Sequence, residues 1–254
     1  MDAVPHEPPQ SAELIAELAD ALAPHGLDLV GAAPLAAYRA AVPPAFRLGW
    51  LPWPEADATI VAIGASRALW DAFMREVDAH PERRLDEHPL DGWIAPVIED
   101  VADRVLADRP HDVIHYFEGD PPPRRVALQQ LAEVTGLAGR APCGLSIHPT
   151  LGPWLSLRAA IVVAASPAPP VIPTAWPCAT CAERPCMPAF ERAMAVTRGA
   201  GHAAIRAAAD AWIAVRDACP VGHEARYSEP QILWHYLHDR AALEPAPPRM
   251  TPTP

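Results

Sequence analysis

Residues 144–165 read GLSIHPTLGPWLSLRAAIVVAA, and the fold is decided by how this stretch is read. A polar turn holding His148, Pro149, Gly152 and Trp154 runs into Leu155–Ala164. The short apolar run there, rich in β-branched residues, predicts a buried strand. Arg158 stands just inside that strand. It must be paired or aimed at an anion, because an isolated buried guanidinium costs several kcal/mol. His148 and Trp154, on the loop before it, add a polar tip and a flat apolar face beside the same space. This is the make-up of a ligand site that does not name its ligand. The competing reading is a salt-bridged strand arginine with no role beyond the fold.

Outward from this stretch, Ser11–Leu22 carries apolar residues at helical spacing behind a serine cap and is stopped by Gly26. Ala58–Gly64 predicts a second buried strand, followed by a helix over 67–79. A longer helix is expected over 92–108, with Ile94, Val97, Ile98, Val101 and Val105 on one face. Residues 111–118 read as a strand, and the triple proline at 121–123 leads into a helix over 124–135. Strands and helices are mixed without strict alternation. That predicts an α+β fold, a sheet flanked by helices, over a doubly wound parallel sheet. The expected organisation is a core over 11–175, a mostly helical cysteine-bearing segment over 176–240, and proline-rich disordered tails at 1–10 and 241–254.

Twenty basic against 31 acidic residues give a formal charge of −11, with no basic block, which disfavours a nucleic-acid partner. The chain contains no lysine, so every fixed positive side chain is an arginine. No apolar run approaches the roughly 20 residues of a membrane helix. The acidic, proline-rich start lacks the features of a signal peptide. A cytoplasmic protein without membrane association, monomeric or homodimeric, is therefore expected. In that compartment the five cysteines point to metal or thiol chemistry rather than a disulfide framework.

Cys178, Cys181 and Cys186 form a tight triple, and Cys219 follows in a Cys-Pro pair. Short loops bring three sulfurs together at little entropic cost, and a remote fourth can close the shell. The spacing departs from the bacterial ferredoxin run, whose fourth cysteine position is Phe190 here. Three readings stand: one [4Fe–4S]-type cluster, a structural zinc site, or cysteines without a metal. Cys143 stands apart and reads as a packed small residue.

Three segments carry a resemblance. The first is Gly144-x-x-Ile147-His148-Pro149-x-x-Gly152-x-Trp154-x-x-x-Arg158. The second is Arg216-Asp217-Ala218 followed by Arg226-Tyr227-Ser228-Glu229-x-Gln231, and the third, thinner, is His88-Pro-Leu-Asp-Gly-Trp-Ile94. Together they resemble the cobalamin-processing chaperone family, the methylmalonic aciduria and homocystinuria type C proteins, over roughly residues 55–240. The resemblance implies a flavin-reductase-like or nitroreductase-like α+β fold holding a base-off corrinoid. It also implies reductive removal or exchange of the upper axial ligand, or thiol-dependent dealkylation, with a tetrapyrrole and a thiol or protein reductant as partners. The family's glutathione-contacting arginines fall on Arg158, Arg216 and Arg240, with Trp154 near the corrin and His148 in the loop shaping the site. Forked guanidinium donors suit the two carboxylates of glutathione. A family histidine near the corrin aligns with Glu133, which would change the charge of the pocket. The cysteine set is similar instead to corrinoid-dependent iron–sulfur enzymes on related folds, the epoxyqueuosine reductases and reductive dehalogenases, though this chain has room for one cluster at most.

Two segments carry plainer alternatives. Arg226-Tyr227 is either a ligand contact or the approach to a helix capped by Ser228, with Gln231 where a capping box wants it. Trp234, His235, Tyr236 and His238 spread around an α-helix and read as packing or solvated side chains. No nucleophile elbow, phosphate-binding glycine loop or zinc-hydrolase His-Glu-x-x-His occurs, which disfavours hydrolases and nucleotide-binding folds.

Overall fold

In the computed structural model, four strands build one antiparallel sheet in the order β1-β2-β6-β3: β1 Leu29–Pro34, β2 Ala58–Ala65, β3 His111–His115 and β6 Ser156–Ala164. The structure describes residues 11–244 apart from 50, 52, 54–57, 117–123, 167–169, 171, 174 and 198–205. Of the two expected tails, at 1–10 and 241–254, residues 1–10 and 245–254 lie outside the described residues.

The central strands read as unbroken apolar runs because both of their faces are covered. With side chains alternating across a strand, Val61, Ile63, Ala159, Ile161 and Val163 point to one side. There they meet α1 (Ser11–Leu22), α3 (Ala68–Ala79) and α4 (Pro89–Val105) through Leu18, Phe73, Ile94 and Ile98. Ile60, Ala62, Ala160 and Val162 point to the other side. They meet α2 (Leu35–Ala41) and α5 (Leu128–Val134) through Tyr38 and Leu131. The architecture is helices, antiparallel sheet, helices, which is an α+β arrangement.

Several boundaries move. The long helix begins at Pro89, not Gly92, since proline is tolerated in a first turn. The helix expected over 124–135 is confined to Leu128–Val134. The third strand ends at His115, with 117–118 outside the described residues. Residues 241–244 are not a tail: Ala242 and Leu243 are buried in the core, and the Leu243 carbonyl accepts from Arg84 Nε at 2.8 Å. β1 was not expected. Its sequence, LVGAAP, has little strand propensity, and pairing with β2 over Leu29–Pro34 holds it extended.

The cysteine-bearing segment contributes α6 (Pro177–Thr180), α7 (Cys186–Thr197), α8 (Ala209–Asp217) and α9 (Glu229–Ile232). It packs on a small hairpin of β4 (Gly139–Arg140) and β5 (Ser146–Ile147). Among the described residues no helix is long and apolar enough to cross a membrane.

Candidate functional site

The β2–β6 register slips beside Arg158. Ile63 faces Ala159, but Gly64 faces Leu157, so Arg158 is the extra residue of a bulge. Alternation counted back from Val162 and Ala160 would push Arg158 into the core between α2 and α5. The bulge instead sends it to the side of α4, where it meets Asp91. Arg158 is only 8% exposed. Its guanidinium donates to Ser156 Oγ at 3.2 Å, to His235 Nε2 at 3.3 Å and to Asp91 Oδ1 at 3.5 Å. All three exceed the ~2.7–2.9 Å of a well-made charged hydrogen bond. Burial pulls the Arg158 pKa down and Asp91 opposes it; an arginine remains charged regardless.

This guanidinium lines a cleft of about 620 Å³ at the end of the sheet where β6 starts and β3 stops. Tyr116, Leu155 and Leu157 come from those strand ends. Arg216 comes from α8, and Tyr227, His235, Tyr236 and His238 from the segment around α9. Arg206 also faces the cleft, and none of the described residues that line it is a carboxylate. Such a surface attracts anions. Its volume is within the ~300–1,000 Å³ of small-molecule sites.

Each wall has a local cause. Arg216 donates from Nε to the Tyr236 hydroxyl at 2.8 Å and from Nη1 to the Pro153 carbonyl. Tyr227 is 3% exposed, and its hydroxyl, near Ser156, makes no hydrogen bond of normal geometry. Burial pushes the Tyr227 phenol up, against the pull of Arg216 and Arg158. His235 is held well below its ordinary value, first by burial and then by Arg158, Arg216 and His238. It is therefore neutral, with Nε2 as the acceptor from Arg158 and the proton on Nδ1. His235, Tyr236 and His238 reach one cleft because residues Leu233–Leu237 form a π-helical turn that ends at His238 with φ +53°. A helical wheel drawn at 3.6 residues per turn spreads them apart. π-turns of this kind are frequent at functional sites.

Of the sequence-derived candidates, Arg158, Arg216 and Tyr227 meet at the cleft, and the other four do not. Trp154 is 1% exposed and stands behind the wall. Its ring lies 5.3 Å from that of Tyr227, with the Arg216 and Arg226 guanidinium carbons 5.7 and 5.5 Å from its centroid. It supports cleft residues from below by stacking and cation–π contact. His148 closes its own turn, Nδ1 accepting from the Thr150 and Leu151 amides at 3.2 Å. Arg226 is held by Asp217 at 2.8 Å and Glu229 at 2.7 Å. Arg240 donates to the Arg84 and Asp86 carbonyls at 2.6 and 2.7 Å and does not line the cleft, although His238 two residues before it does. Glu133 does not line the cleft either; it pairs with Arg140 at 3.0 Å. Ser228 caps α9 by accepting from the Gln231 amide at 3.4 Å, so the Arg226–Gln231 segment both starts a helix and delivers Tyr227.

A second, smaller pocket of about 40 Å³ lies behind the cleft and is lined by all five cysteines, with Ala141, Ile147 and Val215 around them. None of the described residues in its wall is a carboxylate or an imidazole. Among the described residues no three potential ligands are gathered tightly enough to hold a single metal ion. Burial pushes the Cys178 and Cys219 thiols up, and Cys186 rises to about 12 through burial and its neighbour Cys143. Leu145 and Pro153 belong to both pockets, so the two cavities are separated by one layer of side chain and backbone. The loops between them interlock at glycines. A Cβ on Gly152, at φ +58°, would overlap the Val221 carbonyl, and one on Gly222 the Leu151 carbonyl. The turn of the first motif is thus pressed against the chain just after Cys219.

No family model matches the chain, and no curated protein matches its sequence. Solved structures do match its fold. A B12-trafficking protein from C. elegans, CblC, described as a homologue of human MMACHC, superposes with a TM-score of 0.61. The match covers 92% of this chain and 95% of that one at 15% identity. An epoxyqueuosine reductase, solved with a tRNA-Tyr stem loop bearing the epoxyqueuosine modification, matches with a TM-score of 0.54. It covers 87% of this chain and 68% of that one at 13% identity. A selenomethionine-labelled epoxyqueuosine reductase gives a TM-score of 0.52 at 14% identity, over 87% and 69% of the two chains. At such identity the likeness establishes the fold.

Proposed function

We propose that the cleft binds a corrinoid and that the chain assists reductive removal or exchange of its upper axial ligand. The observation that carries this reading is the back-to-back pair of cavities, an arginine-lined cleft against an apolar pocket that gathers five cysteines, sharing Leu145 and Pro153. It is supported by the fold shared with a B12-trafficking protein.

The cleft residues suit a large, flat, amide-bearing ring. Leu128, Leu155, Leu157 and the Tyr116 and Tyr236 rings offer apolar faces, while Gln129 and Ser146 offer hydrogen-bonding groups at the rim. Arg158 and Arg216 present guanidinium forks to a thiol co-substrate's carboxylates. Neutral His235 keeps Arg158 oriented without adding a charge of its own. The Tyr227 hydroxyl retains unused hydrogen-bonding capacity at the same wall.

The described donors of the cysteine pocket are all sulfur, which suits a thiolate-held group, and their spacing, too wide for a single ion, favours an iron–sulfur cluster over zinc. Cys178, Cys181, Cys186 and Cys219 would hold it. When bound there, an iron–sulfur cluster supplies single electrons, whereas zinc supplies structure alone.

Titration of cobalamin into anaerobically purified protein tests the proposal, with iron and zinc analysis of the same sample. The visible spectrum is expected to move to the base-off form and saturate. Spectra that stay unchanged at high concentration of a protein that still unfolds cooperatively would remove the corrinoid reading. An electron carrier or a structural zinc protein would then lead, and the metal analysis separates those two.

A further inference from the structure

Cys143, read from the sequence as a packing residue, lines the same pocket as the four other cysteines. Three separate pieces of chain are pinned so that it does. Cys143 rides on the turn of the β4–β5 hairpin, closed by Ala141 N–H to the Leu145 carbonyl at 2.8 Å and Gly144 N–H to the Ala141 carbonyl at 2.9 Å. The Trp176 ring packs directly on Gly139, where a Cβ would meet it at 2.6 Å, and this ties the start of the Cys178 helix to the hairpin. The interlock of Gly152 with Val221 and of Gly222 with Leu151 brings the Cys219 loop to the same place.

Within this convergence the cysteines are not equivalent. Cys143, Cys178, Cys186 and Cys219 pack into one apolar cluster with Ala141, Ile147, Phe190 and Val215, and Cys181 is not a member of it. Cys186 lies within electrostatic reach of Cys143, Cys178 and Cys219, whereas Cys178 and Cys219 lie within reach of both Cys143 and Cys181. A cysteine that merely fills space has no need of three other thiols around it.

We infer that Cys143 is a ligand of the group held in the cysteine pocket, in a set with Cys178, Cys186 and Cys219, and that Cys181 is a fifth thiol outside that set. The inference rests on the reading of this pocket as a metal or cluster site, and corrects which four cysteines form it.

The test measures iron, zinc and acid-labile sulfide bound per chain in anaerobically purified wild type and in Cys143→Ala, Cys178→Ala and Cys181→Ala. Each protein's thermal unfolding is recorded alongside. Alanine is preferred because a serine hydroxyl buried there would be unsatisfied if it did not ligate. Cys143→Ala is expected to lose at least about nine-tenths of the bound metal, as Cys178→Ala does, while Cys181→Ala keeps it. Retention of wild-type metal in Cys143→Ala, with loss in Cys178→Ala, overturns the inference and leaves the pocket's metal reading intact. Loss in Cys181→Ala equal to that in Cys178→Ala overturns the exclusion of Cys181. A wild type free of iron and zinc overturns both the inference and the metal reading. Should Cys143→Ala fail to fold, Cys143→Ser is compared by its absorption after loading with Co(II). Fewer thiolate-to-cobalt transitions than in wild type support the inference, and an identical spectrum refutes it.

Discussion

Replacing Gly152 by alanine probes the contact that holds the two cavities together, and Gly144→Ala is its internal control. Both glycines have positive φ, +58° and +80°, so both substitutions incur the left-handed penalty of ~1–2 kcal/mol. Both also remove the same flexibility from the unfolded chain. They differ in surroundings. A Cβ at Gly144 meets nothing within 4 Å, whereas one at Gly152 overlaps the Val221 carbonyl and must drive the two loops apart. Forced overpacking of this kind adds ~1–3 kcal/mol, giving a total of roughly 2–5 kcal/mol for Gly152→Ala. At about 2–4 °C per kcal/mol for a chain of this size, Gly152→Ala should melt roughly 4–20 °C below wild type. Gly144→Ala should melt only about 2–8 °C below it. Differential scanning calorimetry of the three proteins in parallel decides the matter. Melting temperatures for the two variants within about 2 °C of each other, less than the value of one kcal/mol, would refute the interlock.

Two further perturbations address the cleft. Arg158→Ala strands Asp91, but that side chain is 34% exposed and 3.5 Å away. The loss should therefore be about 1–2 kcal/mol, below the ~3–5 kcal/mol of a fully buried broken pair. Cobalamin or thiol binding should weaken more than tenfold and be only partly restored by Arg158→Lys; a large fall in melting temperature with unaltered binding would make Arg158 structural. His235 is held below its ordinary value in the folded chain, so on acidification the unfolded chain takes up a proton that the folded one refuses. Stability should then fall as pH drops below about 6.5, the ordinary histidine value. Urea unfolding at several pH values should show that slope flattened in His235→Gln, and an unchanged slope would exclude His235 as its source.

The central strands and first helices are legible because their causes are local. β2 and the apolar half of β6 are continuous runs, and α1 and α3 carry the helical repeat. β1 is not legible, since its glycine, alanines and proline are held extended only by β2. The cleft was half legible for the same reason. Arg158 stands out as a charge in an apolar strand, but the bulge that aims it arises from pairing with Ile63 and Gly64, not from its own neighbours. An α-helical wheel spreads His235, Tyr236 and His238 apart, and the π-turn that gathers them has no local signature. Trp154 carries the right chemistry for a ligand face, yet stacking beneath Tyr227 and two guanidinium groups places it behind the wall. Cys143 stands apart from the other cysteines in the sequence by chain distance alone, and the β4–β5 hairpin brings it into their pocket.

The wall formed by Leu145 and Pro153 has a thermodynamic corollary. Arg216, a cleft residue, is hydrogen-bonded to the Pro153 carbonyl, and Pro153 also faces the thiols. Whatever displaces Pro153 from one side is therefore felt on the other. If filling the thiol pocket alters cleft affinity by some factor, occupancy of the cleft must alter the affinity of the thiol pocket by the same factor. A chain built this way reports the state of one chamber through the equilibrium of the other, and measuring either coupling determines both.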